Sequence, residues 1–183
     1  MRYRRAFYLG ATYFFTFNLL DRSSSLLINE VDKLRIAFQQ VRLLHPFEID
    51  GIVILPDHVH MLITLPEGDS NYSLRIRLIK RLFSKQIKSK ELISSSRLSK
   101  GERGIWQRRF WEHVVRDEKD FENHLNYILY NPVKHGYVTK AADWRFSSIH
   151  RSIRKGEISR SWGSGDDEYF QDIGDYGEYI VGL

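Results

Sequence analysis

His58 and His60 stand one residue apart in "PDHVHMLITLP" (residues 56–66), inside a strand-like apolar run. Side chains at i and i+2 of a strand point to the same face, and neutral imidazole is a common ligand for divalent ions. Two parallel histidines could therefore hold a metal ion, or they could be polar residues on the wet face of an edge strand. The flanking Ile52, Val53, Ile54, Leu55, Met61, Leu62, Ile63 and Leu65 favour a central, buried hairpin, where two imidazoles facing one way need partners. A second stretch, "NYILYNP" (126–132), sets Tyr127 and Asn131 at i and i+4, stacked on one face of a helix. A phenol with a free pKa of about 10 is a weak nucleophile, but attack on a metal-polarised phosphate is within its reach. Asn131 could add a neutral oxygen ligand. By spacing alone, a core aromatic followed by a pre-proline residue accounts for this pair equally well.

The elements that must position these residues follow from periodicity. "TYFFTFNLL" (12–20) is aromatic and β-favouring and reads as a first strand. Between Asn29 and Leu44 apolar residues fall at helical spacing, and "HPF" stops that helix. "FEIDGIVILP" and "HVHMLITLP" read as an antiparallel hairpin around Leu55-Pro56-Asp57, with Asp57 fixing the turn. A basic amphipathic helix follows, with Leu74, Leu78, Ile79, Leu82 and Phe83 as the apolar stripe and Arg75, Arg77, Lys80, Arg81 and Lys85 on the other face. "KSKELISSSRLSKGERG" reads as a mobile loop. "IWQRRFWEHVVRD" reads as a last strand, and "EKDFENHLNYILYN" as a helix ended by Pro132. The order strand, helix, strand, strand, helix, strand predicts an α+β, ferredoxin-like βαββαβ antiparallel sheet with helices on one face, and a further helix carrying Tyr127.

Composition narrows the partners. The 183 residues argue for one domain with a short tail. No stretch reaches the roughly 18 uninterrupted apolar residues of a membrane span, and the absence of cysteine excludes disulfides and thiolate metal sites. A reducing, cytoplasmic setting fits. The net charge is +5, with 28 basic and 23 acidic residues. Six of the acids and none of the bases lie from Gly163 onward, so the first 162 residues carry 28 bases against 17 acids, or +11. The reading is a basic domain over 1–162 and an acidic tail over 163–183. A basic body suggests a polyanion, most simply nucleic acid. Lys80, Arg81 and their neighbours could track a phosphate backbone, "WQRRFW" interleaves aromatics with Arg108 and Arg109 as stacking surfaces do, and Lys134 with His135 could reach DNA from the end of the Tyr127 helix.

These residues carry a resemblance. "LPDHVHMLITLPEGDSNYSLRIRLIKRLFS", "ERGIWQRRFWEHVVRDEKDFENHLNYILYNPVKHGYV" and the opening "MRYRRAFYLGATYFFT" are similar to the REP-associated tyrosine transposases, single-tyrosine members of the HUH endonuclease superfamily. The match runs from Met1 to about Trp162. The resemblance implies that His58 and His60 hold Mg²⁺ or Mn²⁺, with Val59 as the hydrophobic residue between them. It makes Tyr127 the nucleophile, and it puts Asn131 where insertion-sequence relatives carry a glutamine metal ligand. The implied reaction is nicking and strand transfer on single-stranded or hairpin DNA through a 5′-phosphotyrosine. The enzyme would be a monomer or homodimer without nucleotide cofactor, in a bacterial cytoplasm and at the nucleoid when bound to DNA. His113 is expected behind the ligands, as a positioning group or proton shuttle, or else as an ordinary sheet histidine. One rival is a metallohydrolase in which the histidines bind zinc and Tyr127 is structural, against which stands the absence of a third strong ligand at zinc-like spacing. The other is a non-catalytic nucleic-acid-binding module of the same topology. It would display exposed aromatics on its sheet and would need neither the histidine pair nor a helical tyrosine.

Overall fold

The computed structural model describes residues 7–88 and 93–164, so nearly all of the acidic tail lies outside the described residues. The elements run β1 (Thr12–Asn18), α1 (Leu26–Asn29), α2 (Val31–Leu44), β2 (Glu48–Ile54), β3 (His58–Thr64), α3 (Tyr72–Gln86), α4 (Ser95–Leu98), β4 (Trp111–Val114), α5 (Glu118–Lys134), a 3₁₀ turn (Ala141–Asp143) and α6 (Ile149–Arg154). The sheet order is β2-β3-β1-β4 and every pairing is antiparallel, which is the ferredoxin-like arrangement that the element order predicts. No helix among the described residues is long and apolar enough to cross a membrane.

Strand β1 explains why the sheet is covered on both sides. In "TYFFTFN" consecutive side chains alternate faces, yet Tyr13, Phe14, Phe15 and Phe17 are all buried. Tyr13, Phe15 and Phe17 join Val59, Met61 and Ile63 of β3 under α2 and α3. Phe14 and Leu62 face the other way, against Tyr127, Ile128 and Leu129 of α5. The bulge in β2 beside Gly51 lets α5 come close, since a Cβ there would stand 2.6 Å from Leu125 Cδ1.

Helix ends follow local chemistry. Asn71 caps α3 by accepting from the Leu74 amide at 3.2 Å, and Asp117 caps α5 by accepting from the Asp120 amide at 2.8 Å. Pro132 does not end α5. It lies inside the last turn, where its missing N–H removes one hydrogen bond, and the helix runs on to Lys134. The His135 amide donates to the Asn131 carbonyl, and Gly136 turns the chain away at φ +69°. The expected loop over 88–104 contains the short helix α4. Its flank is tied down by Arg97 to Glu102 and to the Trp106 carbonyl, and by Arg103 to the Ser84 and Ile87 carbonyls.

The buried stripe of α3 is Tyr72, Arg75, Ile76, Ile79 and Phe83. Arg75 therefore departs from its expected place on the basic face. Its side chain is 2% exposed, and its guanidinium donates to the His45, Pro46 and Asn71 carbonyls and to Asp69. It clamps the start of α3 to the α2–β2 connection and cannot track a phosphate backbone. Removing it strands three carbonyls and a carboxylate, so Arg75→Ala should lose about 3 kcal/mol of stability in chemical denaturation. Arg77→Ala, on the exposed face, should stay within about 0.5 kcal/mol.

Candidate active site

Strand β3 sits between β1 and β2 and presents His58 and His60 to the α5 side of the sheet, with ring centroids 4.8 Å apart. Both rings are buried. His58 Nδ1 donates to Asp57 Oδ1 at 2.8 Å, and Arg22 pairs with the other oxygen of the same carboxylate. Thr16 Oγ1, directly across from His60 on β1, lies 2.7 Å from His60 Nδ1. Hydrogen bonds at both Nδ1 atoms set the ring orientations and leave Nε2 as the nitrogen that could ligate a metal. His58 Nε2 is buried and has no hydrogen-bond partner among the described residues, an arrangement that a cation would satisfy. Burial holds the His58 pKa below the usual histidine value; Asp57 opposes the shift without cancelling it, so the neutral, ligating form prevails. Burial alone would raise the Asp57 carboxyl, but His58 and Arg22 outweigh it and keep it ionised.

Helix α5 lays one stripe over this pair. His124, Tyr127 and Asn131 are buried on it, and His135 follows at the C-cap. The Tyr127 ring lies 5.1 Å from the His60 ring at 75°, and the His135 ring 5.4 Å from the His58 ring. Lys134 Nζ stands 4.8 Å over the Tyr127 ring. The sheet and helix thus bring together Tyr127, His58, His60, Asn131 and Lys134. Tyr130 leaves this stripe and packs near Gly163, where an added Cβ would come within 3.3 Å of its ring.

Other expected residues lie elsewhere. His113, on β4, is 2.8 Å from Asp120 and stacks on His124 at 4.6 Å. Phe14 separates this cluster from the pair, its ring 5.7 Å from His60 and 4.8 Å from His124, so His113 does not stand directly behind His58 or His60. The "WQRRFW" aromatics do not form an open stacking surface. Trp106 is core, Phe110 packs on Phe15, and Trp111 packs edge-on against Phe14. Arg77, Arg81, Lys85 and Arg109 are exposed. Lys80 reaches the Gln107 carbonyl at 2.6 Å, and Arg108 is bound to Glu102. Together with Arg103, the Arg77, Lys80, Arg81, Lys85 and Arg108 side chains line a groove of about 820 Å³ beside α3. Because α3 covers the Phe15 face, this groove lies across the sheet from Tyr127. Thr16 and Arg22, which orient the pair, escape sequence reasoning because their partners are 44 and 35 residues away. His124 was within reach, since it precedes Tyr127 by three positions on the same helical stripe.

Comparison with known proteins places the chain in a family. The model of the IS200-like transposase family matches residues 12–131. A Haemophilus influenzae protein assigned as a REP-associated tyrosine transposase is 48% identical over 90% of this chain and 94% of its own length. The REP-associated tyrosine transposase of Escherichia coli K12 is 43% identical over 87% and 89%. A solved structure of a REP-associated tyrosine transposase bound to a REP hairpin is 40% identical, covers all of this chain and 99% of its own, and superposes with a TM-score of 0.81.

The Asp57 contact yields a direct expectation. In Asp57→Asn the neutral amide no longer anchors both His58 and Arg22, and affinity for Mn²⁺ in a calorimetric titration should fall roughly ten- to a hundredfold. Unchanged affinity would show that the carboxylate does not set the His58 ring.

Proposed function

We propose that this chain, which belongs to the REP-associated tyrosine transposases within the IS200-like family, nicks and rejoins single-stranded hairpin DNA through a covalent 5′-phosphotyrosine on Tyr127. The observation that carries this reading is the Tyr127 ring set 5.1 Å from His60, itself 4.8 Å from His58, on a helix stripe that also bears Asn131. A Mg²⁺ or Mn²⁺ ion held by His58 and His60, with Asn131 as an oxygen donor, would supply Lewis-acid polarisation of a non-bridging phosphate oxygen.

The chain's own groups account for the rest. The Tyr127 phenol loses its proton and attacks phosphorus in line. The new Tyr–O–P bond forms as the P–O3′ bond breaks, and the departing oxygen takes up a proton to leave a free 3′-OH. Rejoining reverses these bonds, so no nucleotide cofactor is needed. Lys134, with its ammonium over the phenol ring, stabilises the phenolate and offers a partner to the scissile phosphate. Asp57, Arg22 and Thr16 keep the two imidazoles in one orientation while this happens. Arg77, Arg81 and Lys85 offer phosphate contacts to the hairpin, the ligand named for the solved relative, and Arg109 extends that charge to the start of the β4 edge strand. The rival non-catalytic binder would need aromatics exposed on the sheet, whereas Phe14, Phe15 and Phe17 are all fully buried.

Two outcomes test the proposal. Tyr127→Phe removes one oxygen, so folding and hairpin binding should persist while the denaturation-resistant protein–DNA adduct disappears; Tyr130→Phe should keep it. Loss of adduct in Tyr130→Phe with retention in Tyr127→Phe would move the nucleophile. Binding should also weaken steeply with salt. Each of Arg77→Ala, Arg81→Ala and Lys85→Ala should reduce the salt slope by about one, and an unchanged slope in all three would place the DNA elsewhere.

A further inference from the structure

A second cluster of ligating side chains lies on the far side of Phe14 from the histidine pair. His113 comes from β4; Asp120 and His124 come from the first two turns of α5, at i and i+4. Among the described residues, these three bring one ligand atom each within 4.8 Å of one another. His113 Nε2 is 2.8 Å from Asp120 Oδ2, and His124 Nδ1 is 3.1 Å from Asp120 Oδ1. We propose that His113, Asp120 and His124 bind a divalent transition ion of the zinc type, separate from the catalytic cation, which staples the nucleophile-bearing helix to the sheet edge.

The geometry suits such an ion. Tetrahedral zinc with bonds of about 2.0–2.2 Å sets neighbouring ligand atoms about 3.3 Å apart. The 2.8 and 3.1 Å separations run to the two different oxygens of Asp120, and the three ligand atoms lie within 4.8 Å of one another. An ion would draw them together around one centre and displace the proton that His124 Nδ1 now donates to the Asp120 carbonyl at 2.7 Å. The rings are already braced. His113 and His124 stack at 19°, Trp111 lies parallel to His113 at 5.9 Å, and Phe14 closes the inner side against His124. Asp120 is held by the amide and guanidinium of Arg116. The His113 side chain is 24% exposed, which leaves a path for the ion and for a water as fourth ligand.

The charge state suits it too. Burial works against ionisation of Asp120, but hydrogen bonds from His113 and Arg116 prevail and hold its carboxyl at about 2. Burial keeps His124 below the usual histidine value and so neutral at pH 7, the form that ligates. Two imidazoles with one carboxylate select zinc, cobalt or nickel over Mg²⁺, which prefers oxygen ligands. His124 lies three residues before Tyr127, so an ion here would fix the part of α5 that aims the nucleophile.

The test is ion stoichiometry on the full chain, with Co²⁺ as spectroscopic probe and Zn²⁺ as competitor. The wild type should bind two equivalents. His113→Gln and the double variant His58→Ala/His60→Ala should each bind one, and the one kept by the double variant should show the visible absorption of tetrahedral Co²⁺. In the double-variant background His113→Gln should weaken Zn²⁺ at least tenfold, and Zn²⁺ should raise the melting temperature only when His113 is present. His113 is partly exposed on a four-residue edge strand, so the substitution should preserve folding, which circular dichroism checks; His124→Gln serves as the second variant. Zinc affinity in the double-variant background that is unchanged by both His113→Gln and His124→Gln would overturn the proposal, as would a double variant that binds no ion. Loss of the other equivalent alone would instead tell against the His58/His60 site.

Discussion

The packing of α5 against β3 places polar groups inside an otherwise apolar interface, and the need to satisfy them governs the site. An unpartnered polar group in such a place costs several kcal/mol, and among the described residues His58, His60, His113 and His124 are each tied to a neighbour through one ring nitrogen. Asp57 and Arg22 secure His58, Thr16 secures His60, and Asp120 secures His113 and His124. The same ties orient the groups. The His58 and His60 rings are held through Nδ1, which leaves Nε2 for the role proposed for them, and the helix carrying Tyr127 is anchored at its first turn. Stability and preorganisation come from one set of contacts.

Covering the sheet on both faces divides the molecule's work. The Phe14 face carries the histidine pair and Tyr127, and the Phe15 face carries α2 and α3 with the basic groove. A hairpin held by Arg77, Arg81 and Lys85 would have to send its single strand across the sheet edge to reach Tyr127. Tyr127 is itself fully buried under the Lys134 ammonium, so a phosphate reaches it only if the stripe of α5 opens locally. Such an opening would have to displace the buried run from Tyr127 to Pro132, while the N-terminal half stays tied to the sheet edge through Asp120.

Much of this was legible in the residues. Period-2 spacing put His58 and His60 on one face, period-3.6 spacing put Tyr127 and Asn131 on another, and the order of elements indicated the ferredoxin-like sheet. What could not be read depends on distant backbone. Arg75 has the hydropathy of a surface residue, and only the converging carbonyls of His45, Pro46 and Asn71 explain its burial. His113 looked like a companion of the pair until α5 supplied Asp120 and His124 on its own side of Phe14. Pro132 is a stop signal by propensity, yet in the final turn the single lost hydrogen bond is small against the packing that continues to Lys134. For "WQRRFW" the core reading, already favoured for Trp111 from sequence, is the one that fits: Trp106 joins the core, and Trp111, the first residue of β4, packs partly buried against Phe14.

The central claim is that Tyr127 forms the covalent link to DNA. Its most direct test is fragment-ion mass spectrometry of the tryptic peptide spanning 120–134, which contains both Tyr127 and Tyr130, after reaction with a hairpin substrate in Mn²⁺ and nuclease trimming. A phosphonucleotide mass on Tyr127 alone is expected. A modification on Tyr130 or another residue, or cleaved DNA bearing a free 5′-phosphate with no peptide attached, would contradict it.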